Sequence, residues 1–300
     1  MEELDLVKAK IIDLVKEIGD ARSLELLDLL ATGKMLRSKL VLKIAGTTNE
    51  SVELCAVIEM IHAASLLHDD VIDESDTRRG KPSINALFDN KTAIMFGDIL
   101  YSKAFTQLTT MPSSIAYNIS NAVTLLSVGE MLDVDLSKEF NNSYDKYLDM
   151  IYKKTSSLIE ASARSAAFLV SKDEESFALY GKNLGIAFQM IDDILDITQD
   201  SKTLGKPALL DFVEGKVTIP YLLMWERLDA KNKSKLESMY KKPLRDEELS
   251  WIKDNMNETK ALQDSILLAN KFGMEAIEVL KDEDNEDLKN IMKSMIGRSF

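Results

Sequence analysis

Two five-residue segments, Asp69-Asp70-Val71-Ile72-Asp73 and Asp192-Asp193-Ile194-Leu195-Asp196, each put three carboxylates inside otherwise apolar helical sequence. The first and last aspartates of each stand four residues apart and stack on one helix face, with the middle one about 100° round. An isolated helix avoids like charges at that spacing. The preceding residues, Ser65-Leu66-Leu67-His68 and Phe188-Gln189-Met190-Ile191, read as core, where a carboxylate needs a charge partner. The fold must therefore supply compensating charge at both segments. A hard cation is one solution and a neighbouring Lys or Arg another. Arg78 and Arg79 follow the first segment, and their guanidinium groups suit phosphate oxygens. Carboxylates for a divalent cation beside arginines for phosphate describe a diphosphate site.

Helical periodicity runs through the rest of the chain. An apolar i, i+3, i+4 stripe covers residues 4–18 and ends at Gly19, and shorter runs follow at 24–30 and 39–45, the second closed by Gly46. Residues 50–74 form the longest unbroken pattern of the first half and carry the first acidic segment at their C-terminal end. Gly80-Lys81-Pro82 breaks it. Further helices are expected at 91–108, 113–136, 144–170 and 173–200, the last capped by Ser171 or Asp173. Others are expected at 217–228, 231–240, 246–256, 259–280 and 285–296. No stretch reads as a strand, and the five prolines fall at or near these junctions. The expectation is one all-α domain over residues 1–300, its last third a peripheral helical layer.

The net charge of −13, from 37 basic and 50 acidic residues, argues against a nucleic-acid-binding surface, which would be basic. Cys55 is the one cysteine; it sits in an apolar run and reads as a small buried hydrophobe. The N-terminus lacks the basic and apolar regions of a signal peptide, and no apolar run approaches the ~18 residues of a membrane helix. A soluble cytoplasmic protein without a transmembrane segment is expected. An EF-hand is excluded by the missing Gly and terminal Glu, and His62 and His68 lack the further ligands of a zinc site. His62 lies seven residues before Asp69, two turns away on the same face.

With both acidic segments placed, the chain resembles the trans-prenyl diphosphate synthases. LLHDDVIDESDTRRGKPS is similar to that family's first aspartate-rich motif in its short form, and GIAFQMIDDILD to its second. Gly33-Lys34 with Arg37, Phe96-Gly97-Asp98-Ile99-Leu100, Gly129-Glu130, Lys154-Thr155, Gly205-Lys206-Pro207 and Gly215-Lys216 fall where its minor motifs fall. The resemblance implies an all-α bundle of ten or more helices around a central cavity, acting as a homodimer, with 113–136 a candidate interface. It also implies chain elongation: an allylic diphosphate held by two or three Mg²⁺ ions ionises, and isopentenyl diphosphate attacks the allylic carbocation.

On the family's pattern Asp69, Asp70, Asp73, Asp192, Asp193 and Asp196 bind metal, directly or through water. Arg78, Lys154, Lys206 and Lys216 hold the allylic diphosphate, while Lys34, Arg37, His62 and Arg79 form the metal-free pocket for isopentenyl diphosphate. Thr155 and Gln189 place oxygens near the developing cation. There are departures: Thr32-Gly33-Lys34-Met35-Leu36-Arg37-Ser38 replaces GGKRxRP, Asp133 stands where glutamine is common, and Leu209 and Leu210 replace small residues. In this family the growing tail runs beside the helix carrying the first segment. Ala64 and Ser65, five and four residues before Asp69, are small where short-chain members place an aromatic. A product of thirty to forty carbons or more is therefore expected, ahead of one of twenty to twenty-five. A cyclase on this fold would not need Lys34, Arg37 and Arg79, and a non-catalytic partner subunit tends to lose aspartates from one segment.

Overall fold

The computed structural model describes residues 2–31, 33–198, 209–281, 283 and 286–296. In chain order its helices are α1 (Glu3–Lys16), α2 (Ala21–Leu29), α3 (Leu36–Ala45), α4 (Asn49–Ile72), α5 (Ile84–Leu87), α6 (Asn90–Leu108), α7 (Ser113–Leu136) and α8 (Tyr144–Ile151). There follow a π-helical turn (Tyr152–Ser156), α9 (Ser157–Leu169), α10 (Glu174–Thr198), α11 (Leu210–Glu214) and α12 (Ile219–Arg227). The chain continues through α13 (Ala230–Met239), α14 (Asp246–Glu258), α15 (Ala261–Val279) and α16 (Glu286–Ile296). The all-α expectation holds. The single-turn helices α5 and α11 are additions to it, since one turn is too short to show a period.

Residues fall into two compact units, one of Met1–Val123 with Glu160–Ala178 and one of Thr124–Ile159 with Leu179–Phe300. In the first, α4 packs on α1, α3 and α6. Its start is fixed by a reciprocal cap: Ser51 N donates to Thr48 Oγ1 (3.2 Å) and Thr48 N to Ser51 Oγ (2.9 Å). From Leu54 to Ile61 its residues are buried almost without interruption, as befits a helix apolar all round. By composition α4 is long and apolar enough to cross a membrane, which corrects the expectation that no run would be; most of that stretch is buried within the protein.

Two residue pairs, Thr77–Arg78 (β1) and Lys81–Pro82 (β2), form a minimal antiparallel ladder where no strand was expected. Arg79 and Gly80 have φ of 53° and 73°, the left-handed pair that a two-residue hairpin turn requires. The ladder is too short for a period of two to be visible in the sequence.

In the second unit α12, its Pro220 in the first turn, packs against α8, α14 and α15. Tyr147, Met190, Ile194, Phe212 and Tyr221 are among its core residues. The helix expected over 144–170 is interrupted by the π turn. Two glycines explain why it sits there. A Cβ on Gly129 of α7 would overlap the backbone nitrogen of Lys154, and one on Gly185 of α10 would overlap Ser156 Cα. Both neighbouring helices thus approach the turn's backbone closely, and Ser156 Oγ donates to the Lys182 carbonyl at 2.7 Å.

Candidate active site

The first acidic segment closes α4. Asp73 caps the helix, its N–H still bonded to the Asp69 carbonyl at 2.8 Å, so Asp69 and Asp73 keep their one-turn relation. Asp70 is buried, and the hairpin turns Arg78 back onto it: Arg78 Nε and Nη2 both lie 2.6 Å from Asp70 Oδ1. The compensating charge here comes from the chain itself. Asp70, expected at a metal, is paired with Arg78, expected at a diphosphate, because a carboxylate stripped of water takes the nearest cation. Asn85, which the sequence did not single out, ties this corner together: its Nδ2 donates to the carbonyls of Asp70 (3.3 Å) and Ser75 (3.0 Å).

Three of the four expected phosphate-pocket residues, Arg37, His62 and Arg79, come together in the same unit. The Arg79 guanidinium lies over Gly33 and donates to the Ala31 carbonyl at 2.9 Å. Arg37 Nε is buried and, among the described residues, has no hydrogen-bond partner. Burial, and then the positive charges of Arg37, Arg79 and Arg78, push the His62 imidazole well below its ordinary range, so it is neutral. Burial and the Arg78 charge likewise lower Arg79. Glu59, a carboxylate absent from the sequence expectations, offsets part of this charge and accepts from Ser38 Oγ (2.7 Å) and Ser38 N (3.2 Å). Lys34 is exposed on the loop before α3. A cluster of guanidinium groups with a donor left over is suited to phosphate oxygens.

Ala64 and Ser65 are both buried on α4. Ser65 shares the face of Asp69, and Ala64 lies about 140° round from it. The Ala64 carbonyl is near the α6 backbone at Gly97, and Ser65 Oγ donates to the His62 carbonyl at 2.9 Å.

In the second unit, Asp193 sits at the centre of a hydrogen-bond chain. Its Oδ2 accepts from the Tyr147 hydroxyl (2.6 Å) and its Oδ1 from Gln189 Nε2 (2.9 Å); Gln189 Oε1 accepts from Thr155 Oγ1 (2.8 Å). Thr155 and Gln189 therefore meet as expected, one on the π turn and the other on α10. Asp193, expected as a metal ligand, is at the same time the group that orients Gln189. Burial, then the charge of Asp211, and less strongly that of Asp192, push the Asp193 carboxyl up to about 8 against the pull of its two hydrogen bonds. Asp211 and Tyr147 were not foreseen, because nothing local marks them; they reach the segment from elsewhere in the chain. Asp196 is buried and braces α11: its carbonyl accepts from Leu209 N (3.1 Å) and its Oδ2 from Asp211 N (3.3 Å). Leu209, one of the departures from the family pattern, is buried with φ of 59°, a region that favours glycine.

Lys154 Nζ lies 2.6 Å from Asp133 Oδ2 and 3.0 Å from Glu130 Oε2. Lys216 Nζ is 3.2 Å from Glu214 Oε2. Lys206 lies outside the described residues.

Among the described residues no three His, Cys or carboxylate side chains converge to cage an ion. The aspartates nevertheless fit a magnesium ion. They offer hard oxygens, and burial followed by the charge of Asp211 raises the Asp193 carboxyl, a shift that a cation bound there would oppose. Mg²⁺ is ordinarily held by one or two carboxylates and completed by water and phosphate oxygens.

All-α architecture, an acidic segment closing a core helix, a second within α10 and a guanidinium cluster define a class of helical proteins with two aspartate-rich segments. The chain belongs to the polyprenyl synthetase family, whose match spans residues 24–257. It is 36% identical to solanesyl-diphosphate synthase 1 of Oryza sativa subsp. japonica over 250 residues, 81% of this chain and 57% of that protein. The octaprenyl pyrophosphate synthase of Helicobacter pylori superposes with a TM-score of 0.94 at 42% identity, over 99% of both chains. The polyprenyl synthase of Caulobacter crescentus CB15, solved with calcium and isoprenyl diphosphate, superposes with a TM-score of 0.89 at 28% identity, over 99% of this chain and 94% of that one. The matches span 55% to 58% of the first curated relatives' own lengths.

Proposed function

We propose that the protein is a chain-elongating prenyltransferase, condensing isopentenyl diphosphate with an allylic diphosphate to give a medium-to-long all-trans polyprenyl diphosphate. The observation that carries this is the cluster of Arg37, Arg78 and Arg79 around a neutral His62, in the unit whose core helix ends in Asp69, Asp70 and Asp73. Family membership and the octaprenyl and solanesyl relatives support the product class.

On this reading Asp69, Asp70, Asp73, Asp192, Asp193 and Asp196 hold magnesium, directly or through water. Bound Mg²⁺ neutralises charge on the departing diphosphate. Arg78 exchanges Asp70 for a diphosphate oxygen, and Lys154, Lys206 and Lys216 are assigned on the family's pattern to the allylic diphosphate. Arg37, Arg79 and Lys34 hold isopentenyl diphosphate, with the unsatisfied Arg37 Nε as one donor and His62 contributing a hydrogen bond without charge. Thr155 and Gln189 present oxygens to the developing cation, kept in place by Asp193 and Tyr147. Ala64 and Ser65, small and buried on α4, are assigned to the wall beside the growing tail.

The 300 residues work as one cytoplasmic enzyme domain that pairs with a second copy. Val128, Met131 and Val134, exposed on α7, support the pairing. Sedimentation equilibrium giving a single-chain mass for the wild type would remove it.

Incubating the pure protein with Mg²⁺, labelled isopentenyl diphosphate and farnesyl diphosphate tests the activity. Label is expected in a product of thirty to forty carbons or more on reversed-phase chromatography, and to vanish with a chelator. Failure to incorporate label with farnesyl or any shorter allylic primer would refute the reading.

A further inference from the structure

Lys154 faces two carboxylates. Its Nζ is 2.6 Å from Asp133 Oδ2 and within 3.1 Å of both oxygens of Glu130, and both acidic side chains are buried. One ammonium between two carboxylates leaves the trio with a net charge of about −1 when all three are ionised. The arrangement is built into the backbone. Glu130 and Asp133 stand three apart on one face of α7, and the adjacent Gly129 brings that helix against the Lys154 backbone. The π turn fixes Lys154 from its own side. An incoming phosphate oxygen must therefore compete with two pre-positioned carboxylates for this ammonium.

We propose that Asp133, with Glu130, latches Lys154 and weakens the protein's grip on the diphosphate that Lys154 would hold. Asp133 is a positioning residue: it acts through Lys154 and need not touch substrate. The proposal rests on the reading of Lys154 as a diphosphate ligand. It extends that reading by making affinity, rather than chemistry, the quantity the latch sets.

The test is isothermal titration of inorganic pyrophosphate, in excess Mg²⁺, onto wild type, Asp133→Asn, Asp133→Glu, Glu130→Gln and Lys154→Ala. Removing one competing charge is expected to tighten binding by about tenfold in Asp133→Asn. Glu130→Gln should shift in the same direction, Asp133→Glu should stay near wild type, and Lys154→Ala should bind more weakly. In turnover, the allylic KM of Asp133→Asn should fall by a similar factor, with kcat and the isopentenyl diphosphate KM within about twofold. Pyrophosphate binding that is unchanged or weaker in Asp133→Asn overturns the latch. Should that variant fail to fold, the Glu130→Gln titration decides by the same criterion. A wild type that binds pyrophosphate but elongates no allylic primer overturns the assigned activity, while the titration still rules on the latch.

Discussion

Asp70, Asp193 and Asp196 are all buried, and each has found company: a guanidinium, a phenol with an amide, and the start of a short helix. Each carboxylate thus has a partner within the protein, and on the proposed reading activity additionally requires a metal. Asp69→Ala or Asp192→Ala is expected to lower kcat by at least about hundredfold at saturating Mg²⁺. Retention within a few-fold would mean that the aspartates serve only the fold. His62 gives a second residue-scale prediction. The folded protein disfavours the imidazolium, whereas the unfolded chain takes up a proton at about 6.5. Its contribution to stability is complete above that pH and is lost as pH falls below it, at no more than about 1.4 kcal/mol per pH unit. Urea unfolding at pH 5 and pH 7 should show a steeper acid loss in wild type than in His62→Gln.

At the scale of elements, the π turn is held by backbone contacts rather than by side chains alone. Gly129→Ala pushes a methyl into the Lys154 backbone, which cannot swing aside as a side chain can. A loss of about 2–4 kcal/mol is expected in denaturant unfolding, compared with under 1 kcal/mol for an exposed α7 site such as Asn121→Ala. Sequence periodicity located most helices to within a residue or two, because Gly and Pro punctuate them and apolar spacing marks their inner faces. The turn escaped because the apolar spacing of 144–170 continues through it. What makes it is the pair of glycines on α7 and α10, remote in sequence. The hairpin escaped for a related reason: with two residues a side, it is defined by the φ of Arg79 and Gly80.

For the molecule as a whole, the aspartate segments and the arginines were legible because residue type and spacing alone carry their chemistry. Their pairings were not. Glu59, Asp211 and Tyr147 have no local signature, and Asp133, marked in the sequence only as a departure from the family pattern, gains a partner once Lys154 is seen against it. Product length is the molecule-scale quantity still tied to sequence reading. Ser65→Phe, on the face of Asp69, is expected to shorten the main product by several five-carbon units on reversed-phase chromatography. Ala64→Phe should shorten it as well, with an added destabilisation of about 1–3 kcal/mol from the crowded contact with α6. An unchanged product distribution in both variants would discard the tail-wall assignment.

The π turn also bears on how this chain can change over generations. It holds one residue more than a regular helix of the same rise, and each residue turns a helix by about 100°. Deleting a single codon within 152–156 would leave a smooth helix while rotating Lys154 and Thr155 away from Asp133 and Gln189. A one-residue gap at this point in a related gene therefore marks a lineage in which the lysine and threonine have been freed from these partners, even where every aspartate is retained.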